Sequence, residues 1–277
     1  MCPGSADWNC EPNGMHIEGD TIYLTLDGMG GGNDIVGFFQ VSDWGGVNFQ
    51  GDFMVQDSQA APDDDYVLFS EITGMVRLGS DNNSKFVVVG GTSAADGYMA
   101  LINPQGSVVD ITPGVDGDIL RLSTFGSVNL DKAPGGLAVG TWEGVKLWRS
   151  DDDWVWLHQG DVEGRPIKLN DVTTGPDGSL IGGTGHLDSC ALMRFKPDGT
   201  AEILDDGLGL CNGMGFSPDL STFYSTDSVE RVIYQWDHSP TSGELSNRRD
   251  FTRIDSSLGI PDGMTVDAEG FVWGAVW

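Results

Sequence analysis

The sequence predicts an all-β protein, a propeller in particular. Three observations carry that expectation: abundant glycine among β-branched and aromatic residues, turn signals about every ten residues, and one short motif that restarts along the chain. Glycine accounts for 41 of the 277 residues, and it supplies the positive φ that tight turns need. Helical periodicity is nearly absent. The runs Lys85–Val89, Tyr98–Ile102 and Trp154–Leu157 have strand length. Pro176-Asp177-Gly178, Pro197-Asp198-Gly199 and Asn103-Pro104-Gln105-Gly106 read as turns between such runs.

The restarting motif is a polar residue, a glycine, a large apolar residue, a short strand, an acidic turn and a second apolar strand. It occurs at Asn13-Gly14-Met15, Asn212-Gly213-Met214 and Asp262-Gly263-Met264, with the variant Asn170-Asp171-Val172 in the same frame. Its later starts lie about 40 to 50 residues apart, the period of propeller blades of four strands each. A β-sandwich shares the strand content but does not restart one motif at a fixed period.

Charge narrows the partners. Lys+Arg 14 against Asp+Glu 42 leaves a formal net charge of -28, which argues against nucleic acid and anionic membranes, since both are bound through clustered basic residues. No apolar run approaches the roughly 18 residues that span a bilayer, and the first residues lack the pattern of a signal peptide. The expectation is a soluble, cytoplasmic protein of undetermined oligomeric state. The acid excess fits a salty milieu, calcium binding, or surface solubility alone. Cys2, Cys10, Cys190 and Cys211 read either as two bridges, 2 with 10 and 190 with 211, or as buried free thiols.

Propeller geometry turns the repeat into a functional argument. The first strand of every blade lines the central channel, so equivalent strand starts converge near one mouth. The polar residues at those starts are Asn170, Asn212 and Asp262, with Asn13 as a fourth equivalent. Amide carbonyls and carboxylates are hard oxygen ligands, suited to Ca²⁺ or Mg²⁺. A lone Asn-Gly or Asp-Gly is only a turn dipeptide; several at one phase of a repeat point to a site.

These residues resemble a known family. Lys168-Leu169-Asn170-Asp171 with Pro176-Asp177-Gly178, then Cys211–Asp219 with Phe223–Ser228, then Ile260–Gly270 are similar, in order, to three consecutive blades of the regucalcin/gluconolactonase family. That family is of senescence marker protein type and is related to diisopropylfluorophosphatase-type propellers. The resemblance runs from Gly135 to Trp277. It implies a six-bladed propeller with one divalent cation on its axis, Ca²⁺ first, with Zn²⁺, Mg²⁺, Mn²⁺ or Fe²⁺ as alternatives.

The resemblance further implies that Asn170 and Asn212 bind the metal through their side-chain oxygens, and that Asp262 is both ligand and catalytic acid/base. Lys168 stands where many relatives carry a substrate-contacting arginine; lysine keeps the charge and loses the planar fork. The family's fourth ligand is a glutamate in a Gly-Glu-Gly-Pro context, which is absent here. Glu71, in Ser70-Glu71-Ile72-Thr73-Gly74-Met75, is the best-placed candidate. His186 and Asn13 are candidate substrate-binding residues.

The chain reads as one domain over 1–277, with blades at 71–113, 117–160, 164–206 and 208–255 and a partial blade at 256–277. Residues 1–60 look like a displaced last blade. The expectation is a circularly permuted propeller, or one lacking outer strands of a blade; a truncated frame with an unrelated extension is the competing account. Among weaker signals, Gly28-Met29-Gly30-Gly31-Gly32 reads as a loop. Asp63-Asp64-Asp65 and Asp151-Asp152-Asp153 lack EF-hand spacing and read as solvated turns. No G-x-S-x-G signature occurs.

The expected activity is hydrolysis of a sugar or other small lactone by metal-activated water. Asp262 would take the proton of the attacking water, and the cation would stabilise charge on the carbonyl oxygen. Two carboxylates and two neutral amides would leave a divalent ion roughly neutralised. Phosphotriester hydrolysis at the same residues and a non-catalytic calcium- or ligand-binding propeller are the alternatives.

Overall fold

The computed structural model describes the strands between residues 10 and 133 by backbone and pairing. For residues 136–276 it also describes side chains, apart from 149–154 and 186–188. Among the described residues every regular element is a strand, and no helix is long and apolar enough to cross a membrane. The chain forms two compact units, Met1–Val128 and Asn129–Trp277.

In the first unit, β1 (Cys10–Glu18), β2 (Thr21–Gly28), β3 (Ile35–Val41) and β4 (Val47–Met54) pair in chain order. The second sheet holds β5 (Glu71–Leu78), β6 (Lys85–Gly91), β7 (Gly97–Ile102), β8 (Val108–Asp110) and β9 (Leu120–Ser123). The sequence places 120–123 in a blade that begins at 117, but β9 pairs with β7, through Gly97↔Ser123, Tyr98↔Arg121 and Met99↔Leu120. β8 covers the other end of β7, through Leu101↔Asp110 and Ile102↔Val108. Together they make one interrupted outer strand. The intervening sequence holds Pro113-Gly114, and proline has no N–H to donate to a ladder.

The second unit starts its first sheet at Asn129. That sheet is β10 (Asn129–Ala133), β11 (Gly136–Thr141), β12 (Gly144–Ser150) and β13 (Asp153–Gln159). Next come β14 (Leu169–Thr174), β15 (Leu180–Thr184), β16 (Cys190–Phe195) and β17 (Ala201–Leu208), then β18 (Cys211–Phe216), β19 (Thr222–Asp227), β20 (Val232–His238) and β21 (Leu245–Arg253). β22 (Pro261–Val266) and β23 (Val272–Val276) form a two-stranded sheet. In this unit every named pairing joins consecutive strands antiparallel, as short turns between them require.

Burial follows strand order. β18 is buried nearly throughout and β21 is exposed along almost its whole length, so the first strand faces protein and the fourth faces solvent. Sheets pack face to face. Leu169, Val172, Leu180, Ala191, Met193 and Phe195 meet Ala138 and Val145 of the preceding sheet. Ile181, Leu192 and Leu208 meet Met214, Phe223 and Trp236 of the following one. Tyr224 and Ile233 pack on Met264. A disulfide joins Cys190 of β16 to Cys211 of β18, which settles the fate of that pair; Cys2 lies outside the described residues. The first strands β10, β14, β18 and β22 are thereby held side by side in succession.

Candidate active site

The strand starts share an irregularity that the motif encodes. Near the start of β1, β5, β14, β18 and β22 the register with the second strand shifts, whereas β10/β11 pairs without a break. In β14/β15 the pairing passes from Leu169↔Thr184 to Asp171↔Gly183, leaving out Asn170. In β18/β19 the shift falls between Asn212 and Met214, and in β22/β23 between Pro261 and Met264, taking in Asp262 and Gly263. β1/β2 does the same between Pro12 and Gly14, at Asn13. A β-bulge takes its residue out of the in-out alternation and re-aims the side chain. The polar-Gly-apolar motif is therefore the sequence of a bulge.

Close approach of the strands requires the glycines here. A Cβ on Gly213 would lie 2.1 Å from the Met264 nitrogen, and one on Gly183 would lie 2.3 Å from the Cys211 Cβ. β18 can thus sit against β22 on one side and against β15 on the other.

Hydrogen bonds then orient the amides. The Asn170 Nδ2 donates to the Cys211 carbonyl at 3.1 Å and to Asn212 Oδ1 at 2.5 Å. The Asn212 Nδ2 donates to Ser228 Oγ at 2.8 Å, and that hydroxyl donates to the Pro261 carbonyl at 2.6 Å. Backbone carbonyls can only accept. The Cys211 carbonyl therefore demands the NH₂ end of Asn170, and the Pro261 carbonyl takes the only proton of Ser228, so Asn212 must present its NH₂ to that hydroxyl. Both amide oxygens are consequently turned away from backbone acceptors. Asn212 is 9% exposed and Asn170 and Asp262 are half-buried, so the orientation is held in a partly dehydrated setting.

The second unit thus brings Asn170 and Asn212 into direct contact. It also links Asn212, through Ser228, to the residue just before Asp262. Lys168, two residues ahead of Asn170, holds its Nζ 5.1 Å from the ring centre of Trp142, and its carbonyl accepts from the Gly185 N–H at 2.7 Å. Glu71 opens β5 and pairs with Gly91, while the bulge of that strand falls between Ile72 and Gly74. Thr73 holds in β5 the place that Asn170 holds in β14. The side chains of Glu71 and Asn13 lie outside the described residues, as does His186.

Ser228 and Trp142 escaped the sequence reading. Ser228 had a signal, the Thr226-Asp227-Ser228 end of a motif strand; Trp142 had only its place in a hairpin turn. Among the described residues no three His, Cys, Asp or Glu side chains converge as a metal cluster. A cation held here would rely on neutral amide oxygens, and two pre-oriented amides tied to the strand that carries Asp262 are donors of the kind a hard divalent ion takes.

The sequence matches the SMP-30/gluconolactonase/LRE-like region over residues 60–277. The chain belongs to that family. A pentonolactonase of Haloferax volcanii is 38% identical over 114 residues, 40% of this chain and 39% of that protein. This chain therefore spans about two-fifths of that relative's length. Among solved structures, a calcium-binding regucalcin of Agrobacterium tumefaciens aligns with a TM-score of 0.54 at 16% identity, over 73% of this chain and 66% of that one. A gluconolactonase of Xanthomonas campestris aligns at 0.54 and 19% identity, over 76% and 72%. At these identities the two structures share the fold.

Proposed function

We propose that this protein hydrolyses a small sugar lactone with the help of one divalent cation, calcium first among the candidates. The observation that carries the reading is the pair of amides on β14 and β18 whose oxygens are oriented by obligate backbone acceptors, next to the strand that bears Asp262. The family and its pentonolactonase and gluconolactonase relatives support the substrate class. The recurring four-stranded sheets support a six-bladed propeller as the architecture.

In this reading Asn170, Asn212 and Asp262 hold the cation, and the family resemblance assigns a further ligand role to Glu71. The bound cation supplies Lewis acidity for charge that builds on a substrate carbonyl oxygen. Asp262 accepts the proton of the attacking water and returns one to the departing ring oxygen. Lys168, steadied against Trp142, offers a positive charge to the carboxylate that forms. The partial burial of the amides limits competing water around the reacting atoms.

A pH-indicator assay over a panel of aldonolactones tests the reading. Acid release should appear with added Ca²⁺, vanish on chelation and return when the ion is restored. Hydrolysis that is indifferent to chelation would remove the cation from the proposal, and no hydrolysis of any lactone would remove the enzyme.

A further inference from the structure

Ser228 sits at the junction of the two strands that matter most. It is buried, 5% exposed, just past the end of β19, and its backbone N–H donates to the Leu210 carbonyl at 3.0 Å. Its hydroxyl has two partners of fixed character, the Asn212 amide at 2.8 Å and the Pro261 carbonyl at 2.6 Å. The direction of both bonds is forced. A carbonyl takes the hydroxyl proton, and the lone pair that remains takes an amide proton.

We propose that Ser228 is a positioning residue, one that locks the Asn212 amide with its oxygen facing Asn170 and ties that amide to the strand carrying Asp262. The proposal rests on the reading of Asn212 as a cation ligand. Without the hydroxyl, the Asn212 Nδ2 is a buried donor with no acceptor, and the amide is held only by the bond that its oxygen accepts from Asn170. An amide fixed at one end alone no longer holds firmly the oxygen a cation needs. The Pro261 carbonyl also loses its donor, so the segment leading into Asp262 loosens with it. One hydroxyl therefore couples the ligand on β18 to the ligand on β22.

The test is isothermal titration of the metal-free protein with Ca²⁺, alongside its melting temperature. The set comprises wild type, Ser228→Ala, Ser228→Thr, Asn212→Ala and Ser179→Ala. Ser179 is another buried serine, 1% exposed, bonded to Asp177 at 2.5 Å, and its loss controls for general destabilisation. Ser228→Ala should bind Ca²⁺ about tenfold more weakly or worse, the scale of one lost hydrogen bond to a charged or polar site. Ser228→Thr, which keeps a hydroxyl, should recover most of the affinity, and Ser179→Ala should melt earlier while binding as wild type does. In the metal-free wild type the Asn212 side-chain NH₂ should exchange slowly with solvent, read by NMR.

Wild-type affinity in Ser228→Ala, with affinity lost in Asn212→Ala, overturns the positioning role alone. So does equal weakening by Ser179→Ala, or a freely exchanging Asn212 amide. A wild-type protein that binds no Ca²⁺ overturns the cation reading and this proposal with it.

Discussion

The Asn170 side chain clamps two consecutive residues of β18, donating to the Cys211 carbonyl and to Asn212 Oδ1. Both partners are acceptors, so the position needs a donor there. Aspartate at 170 adds the negative charge that simple counting would favour for a cation site. It also faces two oxygens with a third and supplies no proton. Asn170→Asp should therefore destabilise the metal-free protein by about 1–3 kcal/mol, the cost of unmade buried hydrogen bonds. Denaturant titration measures it. Unchanged stability would mean that the clamp is not formed.

Asp262 separates folding from chemistry. It is half-buried at a bulge, and asparagine has nearly the same shape, so Asp262→Asn should fold with a melting temperature close to wild type. Lactone hydrolysis should drop about 100-fold or more, the range of general acid–base assistance. The two readouts are a thermal melt and the pH-indicator assay at saturating Ca²⁺. Turnover near wild type would take Asp262 out of the reaction.

Gly213 tests the bulge geometry. A methyl there would meet the Met264 nitrogen at 2.1 Å and the Gly263 carbonyl carbon at 2.6 Å, and backbone cannot swing aside as a flexible side-chain end can. Gly213→Ala should force β18 and β22 apart at a cost of about 1–3 kcal/mol, seen as an earlier melt. Because the displaced strands carry Asn212 and Asp262, Ca²⁺ affinity should fall as well. A variant that melts and binds as wild type would deny the close approach.

Much of this was legible in the sequence for a physical reason. A bulge that re-aims a polar side chain beside a neighbouring backbone needs a polar residue, then often a glycine, and then an apolar residue that returns to the core. Asn212-Gly213-Met214 and Asp262-Gly263-Met264 spell that out. Other relations are tertiary and leave no local trace. Nothing in Leu120–Ser123 announces that it pairs with β7 across an interruption, because a strand's partner is chosen by the edge available to it. Ser228 looks like any serine after an aspartate until the Pro261 carbonyl is seen above it. The Cys190–Cys211 bridge was one of two open readings, since spacing alone does not bring Cβ atoms together.

That bridge yields the next prediction. Cys190 and Cys211 are fully buried, their sequence separation is 21, and they tie β16 to β18. Closing a loop of that size stabilises by about 3 kcal/mol in the chain-entropy account. Replacing both by alanine should lower stability by about that amount. Reductant should lower the melting temperature of wild type and leave the double variant unmoved. A wild-type melt that ignores reductant would argue against a formed disulfide.

Acid should lower the protein's stability through its turn carboxylates. Asp219 accepts from the Ser217 hydroxyl at 2.6 Å and from the Ser221 hydroxyl and N–H at 2.8 and 3.1 Å, and these bonds lower its pKa from 3.8 to about 2. Asp198 and Asp255 are lowered likewise by Thr200 and Ser257, and Glu202 by Arg194. Each folded-state pKa lies below its unfolded value, so each carboxylate contributes stability that is fully present above the unfolded pKa. That contribution is lost as pH falls through the folded pKa. Melting temperature should hold above the ordinary carboxylate range and decline steadily from pH 3.8 toward about 2. Asp219→Asn, unable to gain or lose that proton, should start lower and fall less steeply across the same interval. A variant whose decline parallels wild type would show that the Ser217–Ser221 turn takes no part in acid stability.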